Sequence, residues 1–285
     1  LWITTYFGGI NYSNPNSSNF TIRHCATESA RGRIISKFHE DKNGDIFIGT
    51  DDGGLFIYNP IKDKCHRYTI DKSNPNLNIH AIWSNDTYLW IGTYSKGLYR
   101  INHKTKYVEH IPYFEKDGIT NESIYSIHED LSGKIWIGTK TAIWTWTKKH
   151  GFIKEKELGY NSDIIAICED LKGSIWFASL NKGILKYTPT THNITHISKG
   201  SNGIKIPNEI TSMSLHMDYL FIGTSGQGLI KYHIPTESIT KEKCSNIEME
   251  HLSIYNIISY KDNLWLSTNA VSYTHLRAHE TVLDL

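Results

Sequence analysis

The pentapeptide Ile135-Trp136-Ile137-Gly138-Thr139 decides the fold, because the chain carries seven versions of it. The others are Leu1-Trp2-Ile3-Thr4-Thr5, Ile46-Phe47-Ile48-Gly49-Thr50, Leu89-Trp90-Ile91-Gly92-Thr93 and Ile175-Trp176-Phe177-Ala178-Ser179, then Leu220-Phe221-Ile222-Gly223-Thr224 and Leu264-Trp265-Leu266-Ser267-Thr268. Their central aromatics are spaced by 45, 43, 46, 40, 45 and 44 residues. A period in the low-to-mid forties is that of four-stranded propeller blades.

The residues around each pentapeptide supply three more strands. Upstream lies a stretch such as Ile124 to Asp130, then a turn at Ser132-Gly133, Asn43-Gly44 or Lys172-Gly173, where Gly tolerates the positive φ of a tight hairpin. Downstream comes a four-residue turn ending in Gly (Asp51 to Gly54, Tyr94 to Gly97, Leu180 to Gly183, Ser225 to Gly228). A third strand such as Leu55-Phe56-Ile57-Tyr58 and a more polar fourth such as Lys64-Cys65-His66-Arg67-Tyr68 complete the unit. Labelled a to d from the axis outward, the pentapeptide is strand b. The strand-b aromatic is expected to fill the wedge between neighbouring sheets, with the small residue two positions on making room for it.

The expected fold class is therefore all-β: a β-propeller of antiparallel four-stranded blades over residues 1–268, with seven blade positions. Residues 1 to about 24 give strands b, c and d of the first blade, five complete blades follow, and strands a and b of the last end at Thr268. Residues 269–285 leave the repeat pattern. From Val271 they resemble translated adapter sequence, so this tail is taken as non-native. Both ends read as cut, so the chain is expected to be a fragment.

Composition excludes several classes. Among 285 residues, 39% are hydrophobic and 21% charged, enough to build a core and too apolar for disorder. A net charge of +1 gives no electrostatic footprint for nucleic acid. No apolar run approaches the roughly 20 residues of a membrane helix. Cys25, Cys65, Cys168 and Cys244 form no CxxC pair and are expected to be isolated thiols.

The composite pattern Ile-x-Glu-Asp-x-x-Gly-x-Ile-Trp-Ile-Gly-Thr, clearest from Ile124 to Trp144 and from Ile164 to Tyr187, resembles the two-component regulator propeller repeat. Blade 4 departs from it in the shorter turn Lys140-Thr141-Ala142, and blade 3 in reading Ser84-Asn85-Asp86. The resemblance implies the periplasmic sensor region of a hybrid histidine kinase of Bacteroides-like bacteria. It implies an inner-membrane-anchored parent with further blades and a β-sandwich in the same chain, able to form a homodimer, and an oligosaccharide as ligand. The fragment itself would then be no enzyme.

Catalytic signatures are missing from the sequence. His39-Glu40-Asp41 and His128-Glu129-Asp130 look like a phosphoacceptor box, but blade 5 reads Cys168-Glu169-Asp170 at the same place, so a repeated structural role is expected, with the acidic groups holding turn N–H groups. His279-Glu280 lacks the second His of a zinc motif. His192 and His196 would lie about 13 Å apart on an outer strand, too far for one metal ion. No P-loop, G-x-S-x-G or dinucleotide signature occurs, and no cofactor or metal is expected.

In an antiparallel meander the b–c turns and d–a connections share one end, so the variable loops gather there. The candidate ligand-binding residues at that end are Arg33, Asp52, His80, Tyr94, Lys96, Glu122 and Tyr125 in the first half. In the second half they are Asp163, Asn181, Lys182, Glu209, Gln227 and Tyr255. Rings mixed with hydrogen-bonding groups suit a sugar. The alternatives are a secreted lyase or hydrolase, with Glu122, Asp163 and Glu209 as candidate carboxylates, or a protein-interaction scaffold.

Overall fold

A computed structural model of the chain describes residues 2–5, 9–13, 20–23, 25, 34–111, 122–159, 162–242, 249–260, 263–268 and 272–277. Among them are seven antiparallel sheets, five of four strands and two of three, each in sequential order. Blade 3 is typical, with strands Ile79–Ser84, Tyr88–Thr93, Leu98–Asn102 and Val108–Ile111 as a to d. Strand a is innermost in a propeller. The other a strands are Ile35–Glu40, Ile124–Glu129, Ile164–Glu169, Ile210–His216 and Ile254–Tyr260. Two units divide the chain: blades 1 to 3 with most of blade 4, and the rest of blade 4 with blades 5 to 7.

The first blade has the expected three strands, Trp2–Thr5, Gly9–Ser13 and Phe20–Arg23. The last blade differs from expectation. Ser272–Arg277 pairs antiparallel with Asn263–Thr268 as a third strand, where the repeat pattern had ended at strand b. An open strand edge leaves a row of unpaired N–H and C=O groups, and the Ser-Tyr-Thr-His segment is extended enough to fill it without matching the repeat.

Strand b is the buried spine. Trp90, Trp136 and Trp176 are at most 1% exposed. The core of the first unit runs between blades 2 and 3, where Phe47, Leu55 and Ile57 meet Ile79, Leu89, Ile91 and Tyr99. The second has equivalent layers between blades 5 and 6, and between 6 and 7.

The strand-b glycines have another cause than the one expected. A Cβ built on Gly92 would lie 2.5 Å from Ile124 Cγ2 and 2.9 Å from Ala81 Cβ, and one on Gly49 would lie 2.6 Å from Ile79 Cγ2. The small residue thus makes room for the first Ile of the next blade's strand a, not for the aromatic ring. Gly92→Ala should therefore cost about 1–3 kcal/mol by overpacking. Thermal melting checks this, and Ile124→Ala in the same chain should recover part of the loss, as neighbours do. Independent, additive losses would contradict the contact.

The acidic pair also acquires definite roles. Asp41, Asp130 and Asp170 each accept two N–H groups of their own a–b turn through Oδ1: Asn43 and Asp45, Ser132 and Lys134, Lys172 and Ser174. Asn85 does the same in blade 3 for Thr87 and Tyr88, which explains why that blade manages without Glu-Asp. The Glu reaches back to the preceding blade. Glu129 Oε2 accepts Trp83 Nε1 at 3.2 Å and Asn85 Nδ2 at 2.9 Å, and Glu169 accepts the Leu131 N–H at 2.8 Å.

Two cysteines are not isolated thiols. Cys25 and Cys65 form a disulfide with Cα atoms 5.3 Å apart. The repeat explains the meeting: Cys65 sits on strand d of blade 2, and Cys25 follows strand d of blade 1. Cys168 is a free thiol whose burial pushes its pKa up, with Asp170 adding to the effect. Cys244 lies outside the described residues. His192 also differs from expectation: it occupies the c–d turn at φ 55°, and the strand begins at Asn193.

Candidate functional site

A one-residue register shift recurs in all six a strands, between Ile35 and Lys37, Ile79 and Ala81, Ile124 and Ser126, Ile164 and Ala166, Ile210 and Ser212, and Ile254 and Asn256. Each leaves one residue unpaired: Ser36, His80 and Tyr125 in the first unit, Ile165, Thr211 and Tyr255 in the second. A bulge re-aims a side chain off the sheet, which is why bulges collect beside binding sites. Three candidates, His80, Tyr125 and Tyr255, stand at these bulges.

Turn bonding brings the loops to the same end. In blade 3 the Tyr94 N–H donates to Asn78 O, the connection that enters strand a, and Gly97 N–H donates to Glu122 O of blade 4. Thr93 holds the turn through Oγ1 to Gly97 O at 2.7 Å. Asp51 N–H to Ile34 O repeats the first bond in blade 2, as Leu180 to Asp163 and Ser225 to Glu209 do in the second unit.

In the first unit these devices assemble a cluster around His80. The Tyr94 and Tyr125 ring centroids each lie 5.7 Å from the imidazole, at interplanar angles of 33° and 56°. Asp51 Oδ1 is 3.6 Å from His80 Nε2. Burial lowers the His80 pKa; Asp51 opposes that shift and Lys37 reinforces it. Burial raises the Asp51 pKa, His80 counters, and the Asp52 charge adds to the rise. Lys37 is held below the ordinary lysine range by burial. The cluster thus offers an exposed ring in Tyr94, a half-buried ring in Tyr125, an imidazole with its neutral form favoured, a carboxylate and an amine.

The sequence reading found His80, Tyr94 and Tyr125 but missed Lys37 and Asp51, choosing the exposed neighbour Asp52. Lys96 is exposed, its carbonyl held by His110 Nε2 at 2.8 Å. Glu122 is a brace: its Oε1 accepts Thr139 Oγ1 at 2.6 Å, because the shortened blade 4 turn lacks the Gly carbonyl that Thr50, Thr93 and Thr224 use. In the second unit Asn181, Lys182, Glu209, Gln227 and Tyr255 are exposed and Asp163 is half-buried. Arg33 lies outside the described residues.

No family model matches the chain. Histidine kinase P4 of Formosa agariphila is 26% identical over 138 residues, which is 46% of this chain and 10% of that kinase. The extracellular domain of BT4673 from B. thetaiotaomicron, assigned both as a one component and as a hybrid two component system, superposes with a TM-score of 0.75 at 21% identity. That superposition covers 96% of this chain and 36% of that one, so the chain spans about a third of the sensor domain it matches. Virginiamycin B lyase from Staphylococcus aureus superposes with a TM-score of 0.73 at 15% identity, over 94% of this chain and 87% of the lyase. At such identities the likeness is one of fold: the chain is a β-propeller of four-stranded blades, similar to the extracellular domains of Bacteroides two-component systems.

Proposed function

We propose that the chain is the extracytoplasmic ligand-sensing propeller of a two-component signalling protein, and that its ligand is an oligosaccharide. The observation that carries the reading is the Tyr94–His80–Tyr125 cluster at the loop end of strand a, where rings and hydrogen-bonding groups stand together on bulged strands. Pyranose rings stack on such faces while their hydroxyls bond to the polar groups. Likeness to sensor extracellular domains supports the signalling role. The Cys25–Cys65 disulfide supports a periplasmic location, since such bonds persist in oxidising compartments. The parent would add further blades, a β-sandwich, an inner-membrane anchor and a kinase, and would signal as a homodimer; residues 269–285 would not belong to it.

Calorimetric titration of the chain against a panel of oligosaccharides tests the reading. Tyr94→Ala with Tyr125→Ala should weaken a binding sugar more than tenfold, about 1.4 kcal/mol. A change under threefold would place the ligand elsewhere.

A second reading rests on His80 and Asp51, which stand 3.6 Å apart and would act as a general base and its orienting carboxylate once the pair tightens to hydrogen-bond distance around a substrate. In that case the panel would yield cleaved products, lost in His80→Ala.

A further inference from the structure

Register alignment of the six a strands exposes one residue that breaks the repeat. The position opposite the small residue of strand b holds Ala81, Ser126, Ala166, Ser212 and Asn256 in five blades. In blade 2 it holds Lys37, opposite Gly49. In blade 3 the position is crowded, where a Cβ on Gly92 would meet Ala81 at 2.9 Å, and in blade 2 the space at Gly49 is taken by Ile79 and Ile82 of the next blade. A long cationic side chain there has no packing rationale.

Among the described residues Lys37 Nζ has no hydrogen-bond acceptor or carboxylate partner. The cluster's carboxylate, Asp51, lies 3.6 Å from His80 Nε2, and the field of Lys37 is felt at His80. Ser36, one residue before, donates its hydroxyl to Ile79 O, which ties the Lys37 segment to the His80 strand. Lys37 is half-buried, and an ammonium drawn out of water without a counter-charge costs stability that a bound anionic group would offset.

We propose that Lys37 anchors an anion subsite beside the His80 cluster, and that the sugar bound there carries a carboxylate or a sulfate. This rests on the sensing reading and names the class of its ligand. The sugar ring lies against Tyr94 or Tyr125, and its acidic group turns to the Lys37 amine, away from Asp51 and Asp52, which would repel it. The charged amine supplies donors in any direction, so the subsite reads charge more than shape.

The test titrates the whole chain with a galacturonan trisaccharide, its carboxyl-reduced counterpart, a sulfated galactan tetrasaccharide and the desulfated form of that tetrasaccharide. The variant Lys37→Ser restores the residue type of Ser126 and Ser212, so it should melt no lower than the parent; Lys37→Arg keeps the charge. At least one acidic sugar should bind at least tenfold more tightly than its neutral counterpart, and which one binds separates carboxylate from sulfate. Lys37→Ser should abolish that difference, and Lys37→Arg should retain affinity within about threefold. Neutral sugars binding as tightly as the acidic ones, or Lys37→Ser leaving the preference intact, would overturn the anion subsite and leave sugar sensing standing. If none of the four binds, sugar sensing falls and the subsite with it.

Discussion

Trp90→Ala should lower the unfolding free energy of the first unit by about 3–5 kcal/mol, the usual cost of truncating a large buried ring. Trp90 is 0% exposed and sits between Trp146, edge-on at 5.0 Å, and Tyr88 at 5.9 Å. The three rings enclose the Arg100 guanidinium, which lies 4.6 Å from the Tyr88 centroid, 5.0 Å from Trp90 and 4.7 Å from Trp146. Glu109 Oε2 closes the cage at 2.5 Å from Arg100 Nη2. Truncation therefore leaves a cavity and strips a ring from a largely buried cation. Arg100→Met, which keeps the stem, should cost less, about 1–2 kcal/mol for the desolvated cation–π contacts. Urea denaturation of both variants checks the order. A Trp90→Ala chain within 1 kcal/mol of the parent would show that strand-b rings do not bear the packing. Lys186 over Trp176 and Lys231 over Phe221 repeat the cation-on-ring pairing between strands c and b in the second unit.

Cys65→Ser should cost about 4 kcal/mol, because the Cys25–Cys65 bond closes a 40-residue separation and removes that loop's freedom from the unfolded chain. The bond also ties strand d of blade 2 to the segment following blade 1, where the first blade has one strand fewer to hold it. Melting in the presence and absence of dithiothreitol measures the same quantity without mutation. Reductant should bring the parent down to the Cys65→Ser value and leave the variant unmoved. A parent indifferent to reductant would mean that the two sulfurs are not joined in solution.

The blades were legible because a repeated pentapeptide reports a repeated environment. Aromatics recurring at a period near 44 residues reflect the buried b strands seen in blades 2 to 6, and the Glu-Asp pair recurs in blades 2, 4 and 5 because their a–b turns present the same N–H groups. What escaped was whatever the repeat does not encode. A bulge needs one extra residue and no particular side chain, so Ser36, His80, Tyr125, Ile165, Thr211 and Tyr255 share nothing a pattern could detect. Lys37 looks like an ordinary polar strand residue until the bulge is counted, and only then does it fall in line with Ala81 and Ser126. Glu122 seemed a free loop carboxylate because the missing Gly carbonyl of its shortened turn leaves no trace near it in sequence. Pairing of Cys25 with Cys65 is a long-range contact, and spacing cannot specify it.

The central claim is that the chain binds its ligand at the His80 cluster. Imidazole carbon–proton NMR of the chain, titrated with the tightest-binding sugar of the panel, tests it most directly. The His80 signals should shift as the sugar saturates, following the calorimetric isotherm, while those of the exposed His192 and His196 stay in place. Saturable binding that leaves the His80 signals unmoved would contradict the account.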